Sequence, residues 1–183
     1  MYDIAPGVEF ATRELLRFDL HPAHCLHIAR RYSLLDWIAA PIRTLLSSPL
    51  ERYTHDDMDT LPFDLYQIIA TTKESISVER KRLANHPPFP PNFDNEPFCA
   101  QHDSCKKAWT ERWFFTMVRR IHNTTAPLPL AMVPDTLEAI DHPGMNPECK
   151  RSILKWLRES CAQVQKEETI IQGAITTVRN LFM

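Results

Sequence analysis

The stretch LHIARRYSLLDWIAAPIRTLL, residues 26–46, decides the fold class of this chain. Its apolar residues recur every three or four positions, which is the spacing that brings side chains onto one face of an α-helix. The pattern predicts two short helices hinged at Tyr32 and Ser33, with a bend near Trp37 because Pro41 removes a backbone hydrogen bond. Neither helix can bury its apolar face alone, so we expect both to pack on further helices.

The same periodicity extends along most of the chain. In the first helix of the quoted stretch it places Cys25, Ile28, Ala29 and Tyr32 on the apolar face. Three glycines against fifteen prolines disfavour β-hairpins and phosphate-binding loops, because both need the positive φ angles that glycine adopts freely. We predict an all-α, irregular multi-helix bundle with helices at 8–18, 22–32, 34–47, 55–61, 62–84, 101–122, 134–141, 146–162 and 163–181.

Charge and cysteine content narrow the class of protein. A net charge of −2 gives no overall attraction to nucleic acid or to an anionic membrane, and no apolar run reaches the ~18 residues of a membrane span. Five cysteines without a secretion signal indicate free thiols inside the cell, in the cytoplasm or the nucleus. We therefore expect neither a nucleic-acid nor a membrane partner. Four basic pairs are interleaved with acids and are predicted to form solvated faces: Arg30-Arg31, Lys106-Lys107, Arg119-Arg120 and Lys150-Arg151.

Residues 85–98, NHPPFPPNFDNEPF, interrupt the helical pattern. Their five prolines exclude a regular helix, and their three phenylalanines are too apolar for a fully solvated linker. We expect an extended strap whose Phe89, Phe93 and Phe98 pack on the helices. The predicted organisation is an N-terminal helical part at 1–84, the strap at 85–98, and a C-terminal helical part at 99–183 packed on the first.

A cysteine–histidine cluster, Cys99-Ala-Gln-His102-Asp-Ser-Cys105, follows the strap. Spacers of two residues are common between zinc ligands, because a tight turn directs both side chains at one tetrahedral ion. The cluster therefore permits a zinc site formed by Cys99, His102 and Cys105. Three residues farther along the chain can supply the fourth ligand: Cys149, which we place in the set, His142 or His122.

Core packing explains the same cysteines without a metal ion. Cys105 begins a stripe that recurs every four residues with Trp109, Trp113 and Met117. A free cysteine in such a position behaves as a small buried apolar side chain. Cys149 begins a second stripe of this kind, which continues with Ile153, Leu157, Cys161 and Val164. From sequence alone the packing role is favoured, and a bound metal stays the alternative.

The run HPAHCLH, residues 21–27, also combines metal-ligand residue types. Helical spacing turns Cys25 toward the apolar face and His24 and His27 away from it, so a solvated histidine face is favoured over a metal site.

Farther on, Thr54 and Asp57 have the spacing of a helix capping box. The chain contains no G-x-S-x-G, H-E-x-x-H, G-x-G-x-x-G or P-loop motif, and we predict that it is not an enzyme.

Residues 11–46, ATRELLRFDLHPAHCLHIARRYSLLDWIAAPIRTLL, resemble the helical region that follows the BTB/POZ domain in a group of fungal proteins. The later HDSCKKAWTERW, residues 102–113, is similar to the C-terminal half of that region. The resemblance extends over about residues 4–181. The positions that carry it are Ala11, Leu15, Ala29, Arg30, Tyr32, Trp37, the segment from Thr54 to Leu61, Met145 and Cys149.

The resemblance implies helix pairs like those of a BACK-type extension, which acts as an interaction spacer. The BTB fold itself is missing, so we expect a truncated product or a family member reduced to its helical part, without the dimerisation and cullin recruitment of that domain. The predicted function is a non-catalytic protein–protein interaction or scaffold region with unknown protein partners. The alternative is a small zinc-stabilised regulatory domain that uses the Cys99–Cys105 cluster.

Overall fold

A computed structural model describes residues 10, 14, 18, 20–49, 53–95, 97 and 99–183, and these residues form helices and no strand. The all-α class predicted from sequence is confirmed. Most of the predicted helix at 8–18, together with Phe98, lies outside the described residues. The α-helices are α1 Pro22–Tyr32, α2 Ala39–Ser47, α3 His55–Thr60, α4 Phe63–Asn85, α5 His102–Arg112, α6 Val118–Ile121, α7 Val133–Glu138, α8 Pro147–Glu159 and α9 Ala162–Phe182.

Single-turn elements link several of these helices. A π-helical turn at Trp113–Met117 joins α5 to α6, so the helix predicted at 101–122 is continuous but widened in its second half. Short 3-10 turns occupy Leu35–Trp37, Phe93–Asn95 and Leu130–Met132. The wider turn leaves Phe114 and Phe115 on the surface while the flanking Trp113 and Met117 stay buried.

The helix predicted at 34–47, with a bend near Trp37, is divided at that place into a 3-10 turn and a shorter α-helix. Ser33 adopts a left-handed conformation with φ 55°, and its amide donates to the carbonyl of Ala29, which ends α1. After the 3-10 turn, α2 begins at Ala39, so Pro41 lies in its first turn. An amide in that position has no partner within the helix, and proline therefore starts α2 rather than bending a longer helix.

The apolar face predicted for α1 is also rotated from the observed one. The buried residues of α1 are Ala23, Leu26 and Ala29, whereas Tyr32 is 62 % exposed. Small side chains at two of the three buried positions let α1 approach α2 and α3 closely, as its contacts with both show. Packing distance, rather than side-chain hydrophobicity alone, decides which face is buried here.

Two clusters of buried side chains form the interior. The first cluster contains buried residues of α1, of α2, of the start of α4 and of the end of α9. The second cluster surrounds Trp109 and Trp113 and includes residues of the strap, α7 and α8. Helices α4 and α9 contribute to both clusters and make the most extensive helix–helix contact among the described residues. The division of the chain into 1–84, 85–98 and 99–183 stays a prediction.

Two of the three phenylalanines predicted to pack on the helices, Phe89 and Phe93, do so. Phe93 is buried and Phe89 is partly buried, with their ring centroids 5.7 Å apart. The Phe93 ring also meets the His102 ring edge-on, at a centroid distance of 5.1 Å. The strap thereby fixes the approach of the chain to the start of α5.

Within the described ranges, no helix combines the length and the apolarity needed to cross a bilayer.

Candidate metal centre

The N-terminal ends of α5 and α8 meet beside the end of the strap. His102 is the first residue of α5, Cys105 lies one turn later, and Cys99 precedes the helix by three residues. Cys149 occupies the first turn of α8, which Asn146 caps by accepting a hydrogen bond from the Glu148 amide at 2.8 Å. Helix N-termini carry partial positive charge and so favour thiolates at such positions.

Four potential ligand atoms converge at this junction. Cys99 Sγ lies 3.8 Å from Cys105 Sγ, and Cys149 Sγ lies 3.8 Å from Nδ1 of His102. The ligand atoms of Cys99, His102 and Cys149 all lie within 4.8 Å of one another. The structure therefore brings Cys99, His102 and Cys149 into one set of potential ligands, and Cys105 adjoins this set through its contact with Cys99.

The spacing matches the edges of a tetrahedral zinc site. With zinc–sulfur bonds of about 2.3 Å, the sulfur atoms of a tetrahedron are about 3.8 Å apart, and a sulfur and a nitrogen ligand are about 3.6 Å apart. The Cys99–Cys105 and Cys149–His102 separations, both 3.8 Å, lie close to these values. Four protein ligands fill every position of such a site, which is the arrangement of structural rather than catalytic zinc.

Backbone amides point at two of the sulfur atoms. Gln101 N donates to Cys99 Sγ at 3.3 Å, and Asn146 N donates to Cys105 Sγ at 3.4 Å. The second amide is positioned by a turn closed by a 3.1 Å hydrogen bond from Met145 N to the carbonyl of His142. Gly144 in that turn has φ 81°, a conformation that other residues rarely adopt. These amides stabilise negative charge on sulfur and orient the ligands.

The thiols of the cluster differ in acidity. The hydrogen bond from the Gln101 amide holds the pKa of Cys99 below its ordinary value, although partial burial acts in the opposite direction. Burial and the neighbouring thiols of Cys105 and Cys99 raise the pKa of Cys149. Several thiolates cannot share this volume without a compensating charge, because each disfavours ionisation of the next. A bound divalent cation would supply that charge.

An opening connects the cluster to solvent. Cys105 and Cys149 are buried and Cys99 is partly exposed, so the cluster lies just beneath the surface. A cavity of about 240 Å³ adjoins it and is lined by Cys99, Ala100, Gln101, Ser104, Cys105, Gly144 and Asn146. A metal ion thus has an entry path that needs no opening of the helices.

Comparison with known proteins gives no relative for this arrangement. No family model, curated protein or solved structure matches the chain.

The other two candidates for the fourth ligand lie elsewhere. His142 is buried, stacks on Trp109 with ring centroids 5.1 Å apart, and contacts the carbonyl of Ile140 through Nδ1 at 2.9 Å. Its Nε2 is buried and has no hydrogen-bond partner. His122 is exposed at the end of α6 and borders a different cavity. Of the three candidates, Cys149 is the one that joins the cluster.

A second group of metal-ligand residues was missed in part by sequence reasoning. His24 of the predicted solvated histidine face and His21 of the same run lie beside Asp57, a buried carboxylate in the first turn of α3. His27, from the same run, is exposed and outside this group. The capping box predicted for Thr54 and Asp57 is present, but that role gives no indication of the nearby imidazoles.

Three of the basic pairs contact acidic side chains rather than forming a joint patch. Arg30 contacts Asp64 at 3.3 Å, and Lys106 contacts Asp94 at 2.5 Å. Lys150 donates to the carbonyls of Glu138 and Ile140, and Arg151 pairs with Glu148 at 2.7 Å. Their charges are therefore largely used within the fold.

Proposed function

We propose that this chain is a non-catalytic, zinc-stabilised all-α domain in which Cys99, His102, Cys105 and Cys149 bind one structural Zn²⁺ ion. The proposal depends on the ligand atoms of Cys99, His102 and Cys149, which lie within 4.8 Å of one another, and on Cys105 Sγ, which lies 3.8 Å from Cys99 Sγ. The ion ties the end of the strap and α5 to α8. Because all four positions are protein side chains, no coordination position is left for a substrate.

The chemistry of the ligand set supports zinc over other divalent ions. Thiolate and imidazole ligands in a tetrahedral arrangement select zinc, whereas magnesium and calcium prefer oxygen ligands. The two amide–sulfur hydrogen bonds and the Phe93 ring against His102 form a surrounding shell that orients the ligands. Free thiols of this kind persist in a reducing compartment, which supports an intracellular location as part of the proposal.

Metal analysis tests this proposal with a matched pair of cysteine variants. Wild-type protein purified without chelator is expected to carry one zinc ion per chain. Cys149→Ser is expected to lose the ion, whereas Cys161→Ser, equally buried but outside the cluster, is expected to retain it. Cys99→Ser, at a partly exposed position that tolerates substitution, serves as a second ligand variant. Wild-type protein that is folded and free of metal contradicts the proposal.

Chelation gives an independent readout. Removing the ion is expected to lower the melting temperature of the wild type on the order of 10 °C, since each kcal/mol corresponds to about 2–4 °C in a chain of this size. Cys149→Ser is expected to melt at the temperature of the chelated wild type. A chelator that leaves the wild-type melting temperature unchanged argues against a structural ion.

Protein binding is a second candidate function, and the exposed pair in the π-helical turn favours it. Phe114 and Phe115 are 47 % and 75 % exposed, and π-helical turns often occur at functional sites. The test is capture of partners from cell extract with a Phe114→Ser/Phe115→Ser variant. Binding is expected to be lost, whereas Phe63→Ser, at a similarly exposed aromatic, is expected to retain the same partners. Equal capture by all three proteins excludes this surface.

The relation to the helical region of fungal BTB/POZ proteins remains a proposal of the same kind. The order and spacing of the residues quoted above support it. A role without nucleic acid is likewise proposed, and the use of the basic pairs in contacts within the fold supports it.

A further inference from the structure

Two imidazoles and a buried carboxylate meet where α1 crosses the start of α3. His21 caps the N-terminus of α1, His24 lies in its first turn, and both are exposed. Asp57 is 6 % exposed. One ligand atom from each of the three residues lies within 4.8 Å of the others, and His21 Nδ1 is 2.6 Å from Asp57 Oδ1.

The carboxylate of Asp57 is held in a fixed orientation. Its Oδ2 accepts hydrogen bonds from Thr54 N at 2.9 Å and from Thr54 Oγ1 at 2.8 Å. The other oxygen, Oδ1, is directed at the imidazoles. A carboxylate anchored through one oxygen and presented through the other is the usual arrangement of a metal-ligating aspartate.

The buried carboxylate of Asp57 is stabilised by hydrogen bonds and lies beside the two imidazoles. Burial acts to raise the pKa of this carboxyl, but the Thr54 hydrogen bonds and the nearby His21 and His24 hold it below its ordinary value. Among the described residues, no lysine or arginine pairs with Asp57, and its one ion-pair partner is His21.

We propose that His21, His24 and Asp57 bind a divalent transition-metal ion of the zinc type, in a second site separate from the cysteine–histidine centre. Two imidazoles and one carboxylate are ligands that such ions accept readily, and three protein ligands leave at least one position open to water or to a ligand from outside. The site joins α1 to α3 at the surface.

Binding requires a small movement of one ring. Around a tetrahedral ion with bonds of about 2.0–2.1 Å, two ligand atoms are about 3.3 Å apart, so His21 Nδ1 must withdraw from Asp57 by roughly 0.7 Å. The His21 side chain is 42 % exposed, and its other hydrogen bond, from Ala23 N, is 3.4 Å long. The ring therefore has room to move at little cost.

The test is a zinc titration of the full chain by equilibrium dialysis, with bound metal counted per chain. Wild-type protein is expected to bind a second ion beyond the one in the cysteine centre. His24→Ala is expected to weaken that second binding at least about 100-fold, because loss of an outer contact alone costs 10–100-fold. His27→Ala removes an exposed histidine of the same helix and is expected to bind like wild type. Both substitutions are at exposed positions, so the fold is retained.

The two metal sites are distinguished by their variants. Cys149→Ser is expected to leave the second site intact, so the present inference can hold even if the cysteine centre binds nothing. Conversely, a wild-type chain that never exceeds the ion removed by Cys149→Ser overturns the second site alone. Second-ion binding that survives in His24→Ala, or that is equally weakened in His27→Ala, also overturns it.

Discussion

Cys149 Sγ lies 3.8 Å from Nδ1 of His102, although 47 residues separate the two in sequence. Contact at this distance requires α8 to return to the start of α5, which the Pro143-Gly144 turn and the Asn146 cap make possible. The pair adds Cys149 to the potential ligands Cys99 and His102, which are close in sequence.

Two consecutive glutamates are predicted to differ strongly in their contribution to stability. Glu167 pairs with Arg80 and accepts a hydrogen bond from Leu130 N at 2.8 Å, with its side chain 9 % exposed. Glu167→Ala leaves a buried guanidinium and an amide without partners, so we expect a loss of about 3–5 kcal/mol. Glu168 pairs with Arg43 at a more exposed position, and Glu168→Ala is expected to cost less than about 1 kcal/mol.

Urea unfolding of the two variants measures this difference. Equal losses for Glu167→Ala and Glu168→Ala contradict the role assigned to the buried pair.

The tryptophan stripe is predicted to be a core element. Trp109 is fully buried, and truncation to alanine leaves a large cavity, so Trp109→Ala is expected to lose about 3–5 kcal/mol. Phe115→Ala removes an aromatic ring of which 75 % is exposed and is expected to change the free energy of unfolding by less than about 0.5 kcal/mol. Thermal denaturation, monitored by circular dichroism, compares the melting temperatures of the two variants with that of wild type. A Trp109 variant that melts like wild type shows that this side chain is not part of the core.

Stability is predicted to fall in mild acid because of His142. Burial lowers the pKa of this imidazole, although its contact with the Ile140 carbonyl acts in the opposite direction. Below about pH 6.5 the unfolded chain binds a proton that the folded chain does not, so stability decreases as the pH falls toward the lower, folded-state pKa. His142→Phe preserves stacking on Trp109 and removes this proton uptake.

Acid also protonates the potential metal ligands. The measurement is therefore the difference in the free energy of unfolding between His142→Phe and wild type at each pH. The free energy of unfolding of the variant is expected to change less steeply with pH, and the difference in slope corresponds to at most one bound proton. Parallel curves for the two proteins show that His142 is not the group responsible.

Local patterns predicted those parts of the structure that depend on neighbouring residues. The helical periodicity gave the all-α class, and the Thr54–Asp57 spacing gave the capping box at α3. The short spacers between Cys99, His102 and Cys105 identified three members of the cluster. In each case, residues within one turn of each other determine the geometry, so one sequence carries the information.

Contacts between distant segments could not be read in the same way. The fourth ligand was a choice among three residues, because the return of α8 depends on how the helices pack. Asp57 joins His21 across α1 and α3 for the same reason. The buried face predicted for α1 was correct at Ala29 but missed Ala23 and Leu26, because the buried face depends on the helices that pack against α1.

X-ray absorption at the zinc K edge tests the central claim most directly, using the 183-residue chain reconstituted with one equivalent of zinc. The expected shell has three sulfur atoms at about 2.3 Å and one nitrogen at about 2.0–2.1 Å, and Cys149→Ser is expected to lose one sulfur or all bound zinc. A shell made only of nitrogen and oxygen, or folded protein that binds no zinc, contradicts a structural zinc centre at Cys99, His102, Cys105 and Cys149.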